Sequence, residues 1–116
     1  MNEERDGREI FAILDDDYAR AILEATRREQ LSAKALSEEC GMSVSTISRR
    51  VNTLLEHDLL VERTHIDPSG HHYSEYEAQL EGVDVKLLET GFDVRVELRE
   101  DAADRFTRIW DEMRKR

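Results

Sequence analysis

Apolar residues recur at helical spacing through the first half of this chain, and at every second position through much of the second half. Residues 15–28 carry Tyr18, Ala19, Ile22, Leu23 and Ala25 on one face. Aspartates open that stretch and Arg27 and Arg28 close it, the favourable order for a helix dipole. Residues 8–14 read as a short apolar approach of one helical turn, and residues 2–7 are polar and expected to fray. Residues 31–40 place Ala33, Leu36 and Cys40 at helical spacing, and Gly41 can take the left-handed conformation that ends a helix. Ser43 can cap a second helix whose inward stripe is Ile47, Val51, Leu54 and Leu55.

From Leu59 the period falls to two. Residues 59–66 and 71–80 are predicted strands around Asp67-Pro68-Ser69-Gly70, with Pro and Gly where a type I turn takes them. Tyr76, Ala78 and Leu80 share one parity, whereas Val83, Val85 and Leu87 share the other. The phase change at Glu81-Gly82 predicts a bulge or corner. Residues 83–88 and 92–98 alternate around Glu89-Thr90-Gly91 as a second hairpin. Residues 101–116 return to a helical stripe of Ala102, Ala103, Phe106, Ile109, Trp110 and Met113, with Arg114, Lys115 and Arg116 at the negative end.

Helix, glycine turn, helix and hairpin in succession make a winged helix-turn-helix. The expected fold class is α+β: this unit, an extra β-hairpin and a C-terminal amphipathic helix. The expected division is a flexible 1–8, a DNA-binding domain at 9–80, and an additional hairpin with a dimerisation helix at 81–116 packed on the same domain.

Residues 11–23 (Phe11 through Leu23), the segment 43–50 and the wing Ile66-Asp67-Pro68-Ser69-Gly70-His71-His72-Tyr73 resemble the ArsR/MarR-like winged-helix transcription regulators. They are most similar to small acidic regulators of extremely halophilic archaea, over roughly residues 10–98. The resemblance implies DNA binding by a homodimer, with the second helix in the major groove and the wing on the backbone or minor groove. Ser37 stands where this motif usually has Ala, and it is small enough to fit.

The chemistry off the apolar stripe suits that role. Ser43, Ser45, Thr46, Ser48, Arg49, Arg50, Asn52 and Thr53 offer hydroxyl, guanidinium and amide groups, the types that read base edges and grip phosphates. All of them but Thr53, together with Arg63, His65, His71 and His72 of the wing, are the candidate DNA contacts. Phe106, Ile109, Trp110 and Met113 are the candidate dimer interface, because a two-fold operator calls for two-fold protein symmetry.

Charge complicates the picture. The chain of 116 residues carries 17 basic against 27 acidic residues, a net charge of −10. A DNA-binding domain is ordinarily basic. The acids are spread along the chain, and only Lys34, Lys86 and Lys115 are lysines, a composition suited to concentrated salt. Between Ser43 and Leu55 there are two arginines and no acid. The other explanation of the charge is a basic protein partner, which would make the chain an adaptor. A third reading is a ligand-responsive sensor with a pocket between the second hairpin and the terminal helix.

Enzymatic and cofactor roles find no motif. There is no glycine-rich phosphate loop and no nucleophile motif. The single cysteine, Cys40, reads as a small buried hydrophobe, and adjacent His71 and His72 on a strand point apart and chelate poorly. No metal or cofactor is expected. With no signal peptide and no run of membrane-span length, the expected location is the cytoplasm.

Overall fold

The computed structural model describes residues 2–4, 6–99 and 102–115. Its element order is β1 (Asn2–Glu4), α1 (Gly7–Asp15), α2 (Asp17–Arg28), α3 (Ala33–Cys40), α4 (Val44–Glu56), β2 (Leu60–Ile66), β3 (His72–Ala78), β4 (Leu80–Leu88), β5 (Gly91–Leu98) and α5 (Ala102–Arg114). The fold is α+β, a helical region followed by two hairpins and a terminal helix. Asp101 and Arg116, the expected ends of that helix, lie outside the described residues, as do the side chains of Ala102 and Ala103.

Two elements differ from expectation near the N-terminus. Residues 2–4, expected to fray, pair antiparallel with β5 as Asn2–Glu97, Glu3–Val96 and Glu4–Arg95. The approach to the main helix is a full helix, separated from α2 by Asp16. Asp16 is extended (φ −81°, ψ 115°), and its Oδ1 accepts from the backbone N–H of Tyr18 (2.8 Å) and Ala19 (3.3 Å). Capping the second helix this way satisfies its orphan donors and bends the chain between two short helices.

The core forms where the helical stripes meet the strands. Ile10 and Ile13 of α1, Ile22 of α2, Leu36 of α3, and Ile47, Val51 and Leu54 of α4 are buried with Leu59, Leu60, Ala78, Val94, Val96 and Leu98. Leu55 and Cys40, expected inside, are only partly buried against this core. Tyr18 is a clearer departure: it is half exposed, at the start of α2, with its ring under the Arg50 guanidinium. Thr26 departs the other way and is buried. Its hydroxyl donates to the Ile22 carbonyl at 2.7 Å, so the helix itself satisfies it.

Two sheets flank the helices. β2 and β3 form the wing, in register from Leu60–Ala78 to Ile66–His72. Leu31 joins it: its N–H donates to the Tyr76 carbonyl (3.1 Å) and its carbonyl accepts from Tyr76 N–H (2.8 Å). The second sheet has the order β1-β5-β4. Its register shifts between Leu80 and Gly82, so the parity switch in the sequence is a bulge. α1 lies across β5 closely enough that a Cβ on Gly7 would stand 3.0 Å from Val94 Cγ2.

Candidate nucleic-acid interface

The turn between α3 and α4 is locked by short-range hydrogen bonds. Gly41 caps α3 in the left-handed region (φ 67°, ψ 35°). The Gly41 and Met42 N–H groups donate to the Ser37 carbonyl at 3.1 and 3.2 Å, and the Ser37 hydroxyl donates to the Met42 carbonyl at 2.5 Å. Ser37 therefore does more than fit. Its hydroxyl satisfies a carbonyl that the turn would otherwise leave open, which alanine could not do.

Ser43 caps α4 (φ −65°, ψ 154°), accepting from Thr46 N–H at 3.2 Å and donating to Thr46 Oγ1 at 2.9 Å. Ser45 Oγ lies 3.2 Å from the same hydroxyl. The positive end of the α4 dipole thus carries three clustered hydroxyls and no acid in its first turn. Beyond it, Ser48, Arg49, Asn52 and Thr53 are exposed along one face of the helix. The Arg49 side chain makes no ion pair among the described residues. Val44 is also exposed at the front of α4. Sequence reasoning passed over it: it continues the Ile47–Val51 stripe by one turn, but its exposure at the helix start makes it a candidate for thymine-methyl contact.

Arg50 behaves differently from its neighbour. Its Nε lies 2.6 Å from Asp16 Oδ2, and its guanidinium sits 5.5 Å from the Tyr18 ring centroid. It is turned toward the α1–α2 corner, away from the Ser45–Arg49 face. Consecutive positions, about 100° apart around the helix, thus carry one arginine with no ion pair among the described residues and one that is anchored. A small cleft of about 210 Å³, lined in part by Ala12, Asp16, Arg50 and Thr53, opens at that corner. It lies among α1, α2 and α4, not at the hairpin–terminal helix junction named by the sensor reading.

The wing presents its candidates unevenly. Arg63 pairs with Glu77 at 3.5 Å. His65 Nε2 is 3.1 Å from both Gln30 Oε1 and Glu75 Oε1, and its ring stacks on Tyr73. These two residues are tied to the body of the domain. His71 and His72 are exposed nearer the tip, with His71 Nδ1 2.8 Å from the Ser69 hydroxyl. The turn itself is organised by Asp67, whose carboxylate accepts from Ser69 Oγ (2.8 Å) and from the N–H groups of Ser69 (3.0 Å) and His71 (2.8 Å). Those bonds, the Ser69 hydroxyl foremost, hold its carboxyl below the usual range.

Much of the acidity beside the wing is internally paired. Glu77 accepts from Arg99 (3.1 Å) as well as facing Arg63, and Glu81 faces Arg99 (3.8 Å) and Arg27 (3.6 Å). A chain of alternating charge thus runs from β2 to α2. It offsets acids that would otherwise repel a phosphate backbone.

Among the described residues, no group of three or more His, Cys, Asp or Glu is placed to hold a metal ion, and no helix is long and apolar enough to cross a membrane. Cys40 is partly buried. Burial, then the Glu39 charge, pushes its thiol up and away from the reactive thiolate.

Comparison with known proteins agrees with this geometry. No curated protein matches the chain. Residues 14–63 match a family profile described as a helix-turn-helix domain, and the match ends within β2. That family consists of DNA-binding regulators and not of enzymes. Capped helices, a glycine turn and an exposed donor face agree with the match: residues 14–63 of this chain fold as a helix-turn-helix and are similar to that family.

Proposed function

We propose that this chain is a sequence-specific, ArsR-like transcription regulator that binds double-stranded DNA as a homodimer. α4 enters the major groove with Ser45, Thr46, Ser48, Arg49 and Asn52 toward base edges and phosphates. Ser43 and the N-terminus of α4 face a phosphate, and His71 and His72 bring the wing tip to the backbone or minor groove. Arg63 and His65 position the wing, and Arg50 reaches DNA only by leaving Asp16. Residues 9–80 form the DNA-binding part. Residues 81–116 supply the dimer contacts through Phe106, Ile109, Trp110 and Met113.

The observation that carries this reading is the exposed donor face of α4, with no acid from Ser43 to Leu55, on a chain of net charge −10. Evenly spread carboxylates fit a salt-rich cytoplasm of the halophilic archaeal kind, where repulsion is screened. Footprinting the tagged protein across its genome identifies the operator. Binding to that operator by wild type but not by an Arg49→Ala variant supports the reading.

The acidic surface also favours a second reading, an adaptor for a basic protein. An absence of specific footprints, together with association with a basic partner, would select it.

A further inference from the structure

The second sheet is covered by helix over only part of its apolar face. Val83, Val85 and Leu87 stand opposite Val96, Val94 and Phe92 in the β4–β5 register, so all six share that face. Val94 and Val96 are buried, whereas Leu87 is 73% and Phe92 64% exposed. α1 packs on this face at Val94, which would stand 3.0 Å from a Cβ on Gly7, and leaves its Val85–Leu87–Phe92 end exposed. Phe11 at its outer edge meets Phe92 edge to face, with ring centroids 6.1 Å apart, and is itself exposed. Phe11, Val85, Leu87 and Phe92 therefore form a contiguous uncovered patch.

A second uncovered face lies on α5. Phe106 is 70% and Trp110 52% exposed, and Ile109 and Met113 on the same stripe are exposed too. The helix does not fold back onto the hairpin of its own chain.

We infer that each patch covers the other between two copies: the α5 stripe of one protomer seats on the Phe11–Val85–Leu87–Phe92 patch of its partner. This rests on the homodimer reading above and names its missing half, the receiving surface. Two arguments select a second copy as occupant. Exchanged across a two-fold axis, the two pairs of faces would bury on the order of 1,600 Å² in total, the area of a stable interface. The charges also match. α5 ends at Arg114, with Lys115 next in the chain, and the patch is edged by Glu89 in the hairpin turn and Asp15 at the end of α1. That match orients the helix with Met113 toward Leu87.

The test uses the full chain in molar potassium chloride, in a Cys40→Ser background. Chains carrying Leu87→Cys and chains carrying Met113→Cys are mixed and oxidised. A covalent dimer should form several-fold more in the mixture than with either chain alone. Phe92→Glu, at an exposed position, should shift sedimentation to half the wild-type mass. A dimer that survives Phe92→Glu, with Met113→Cys linking only to itself, would overturn this inference and leave the homodimer standing. Linkage within one chain carrying both cysteines would show that α5 folds back at home. A wild type that sediments as a monomer would remove the homodimer reading as well.

Discussion

One carboxylate serves two masters at the α1–α2 corner: Asp16 Oδ1 caps α2 while Asp16 Oδ2 lies 2.6 Å from Arg50 Nε on α4. The helix whose outer face is proposed to meet DNA is thereby pinned at its inner face to the start of another helix. The pair is about one-third exposed, so its Coulomb contribution is modest, on the order of 1 kcal/mol.

The two roles separate by substitution. Asp16→Ser keeps a cap and loses the ion pair, and Asp16→Ala loses both. The alanine variant should be less stable than the serine variant by roughly 1 kcal/mol, the worth of an N-cap. Denaturant midpoints at constant salt measure the difference. Equal midpoints would mean that the cap contributes nothing.

Arg49 and Arg50 should respond oppositely. Arg49→Ala should weaken specific DNA binding by roughly 1–3 kcal/mol with a stability change within about 0.5 kcal/mol. Arg50→Ala should act mainly on stability, because its partner Asp16 is left without a cation. Affinity by fluorescence anisotropy and stability by denaturation, measured on both variants, distinguish a reader from an anchor. If Arg49→Ala leaves operator affinity unchanged, α4 is not the reading helix.

His57 gives the fold a dependence on pH. At the end of α4, its Nδ1 lies 2.9 Å from the Thr53 carbonyl and its Nε2 3.2 Å from Glu9 Oε2. Both ring nitrogens face acceptors, an arrangement that only the imidazolium satisfies. The Thr53 carbonyl chiefly raises its pKa. Burial opposes it, and Glu9 and Glu56 add to the rise. A pKa higher in the folded than in the unfolded chain gives stability that is full below the unfolded value, near 6.5, and is lost as pH rises through the folded value. Wild type should lose stability on going from pH 6 toward pH 8, and His57→Gln should lose less. Parallel curves for the two proteins would refute the assignment.

Salt should act unlike it does on a basic DNA binder. Bound phosphates ordinarily release cations, so affinity falls steeply as salt rises. Here carboxylates surround a small basic face, and bringing them near phosphate requires cations to be retained between the surfaces. The log–log slope of specific affinity against potassium chloride, from about 0.2 M upward, should be shallow or positive. Dilute buffer should destabilise the free protein through carboxylate repulsion. A steep negative slope in a chain that stays folded in dilute buffer would instead favour a basic protein partner.

The sequence by itself determined the elements whose signals are local. Gly41 and Ser43 mark the helix-turn-helix because a left-handed cap and an N-cap depend on the residues within a few positions. The bulge at Glu81-Gly82 shows as a parity switch because strand side chains alternate with a period of two. The donor face of α4 is legible because it is what remains when the apolar stripe is removed. Tertiary structure decided what depends on distant partners. The approach of one turn becomes a full helix that Asp16 divides from α2, and the second oxygen of Asp16 finds Arg50, 34 positions away. Tyr18 faces outward because that arginine covers its ring. Residues 2–4 become a strand because β5 offers them an edge. Arg49 and Arg50 have the same chemistry, and the turn of one helix against another gives one to solvent and the other to Asp16. The apolar stripe of α5 was plain in the sequence, but its exposure was not. Periodicity records that a face is apolar, and only the packing of the other elements shows whether the chain itself has a surface to cover it.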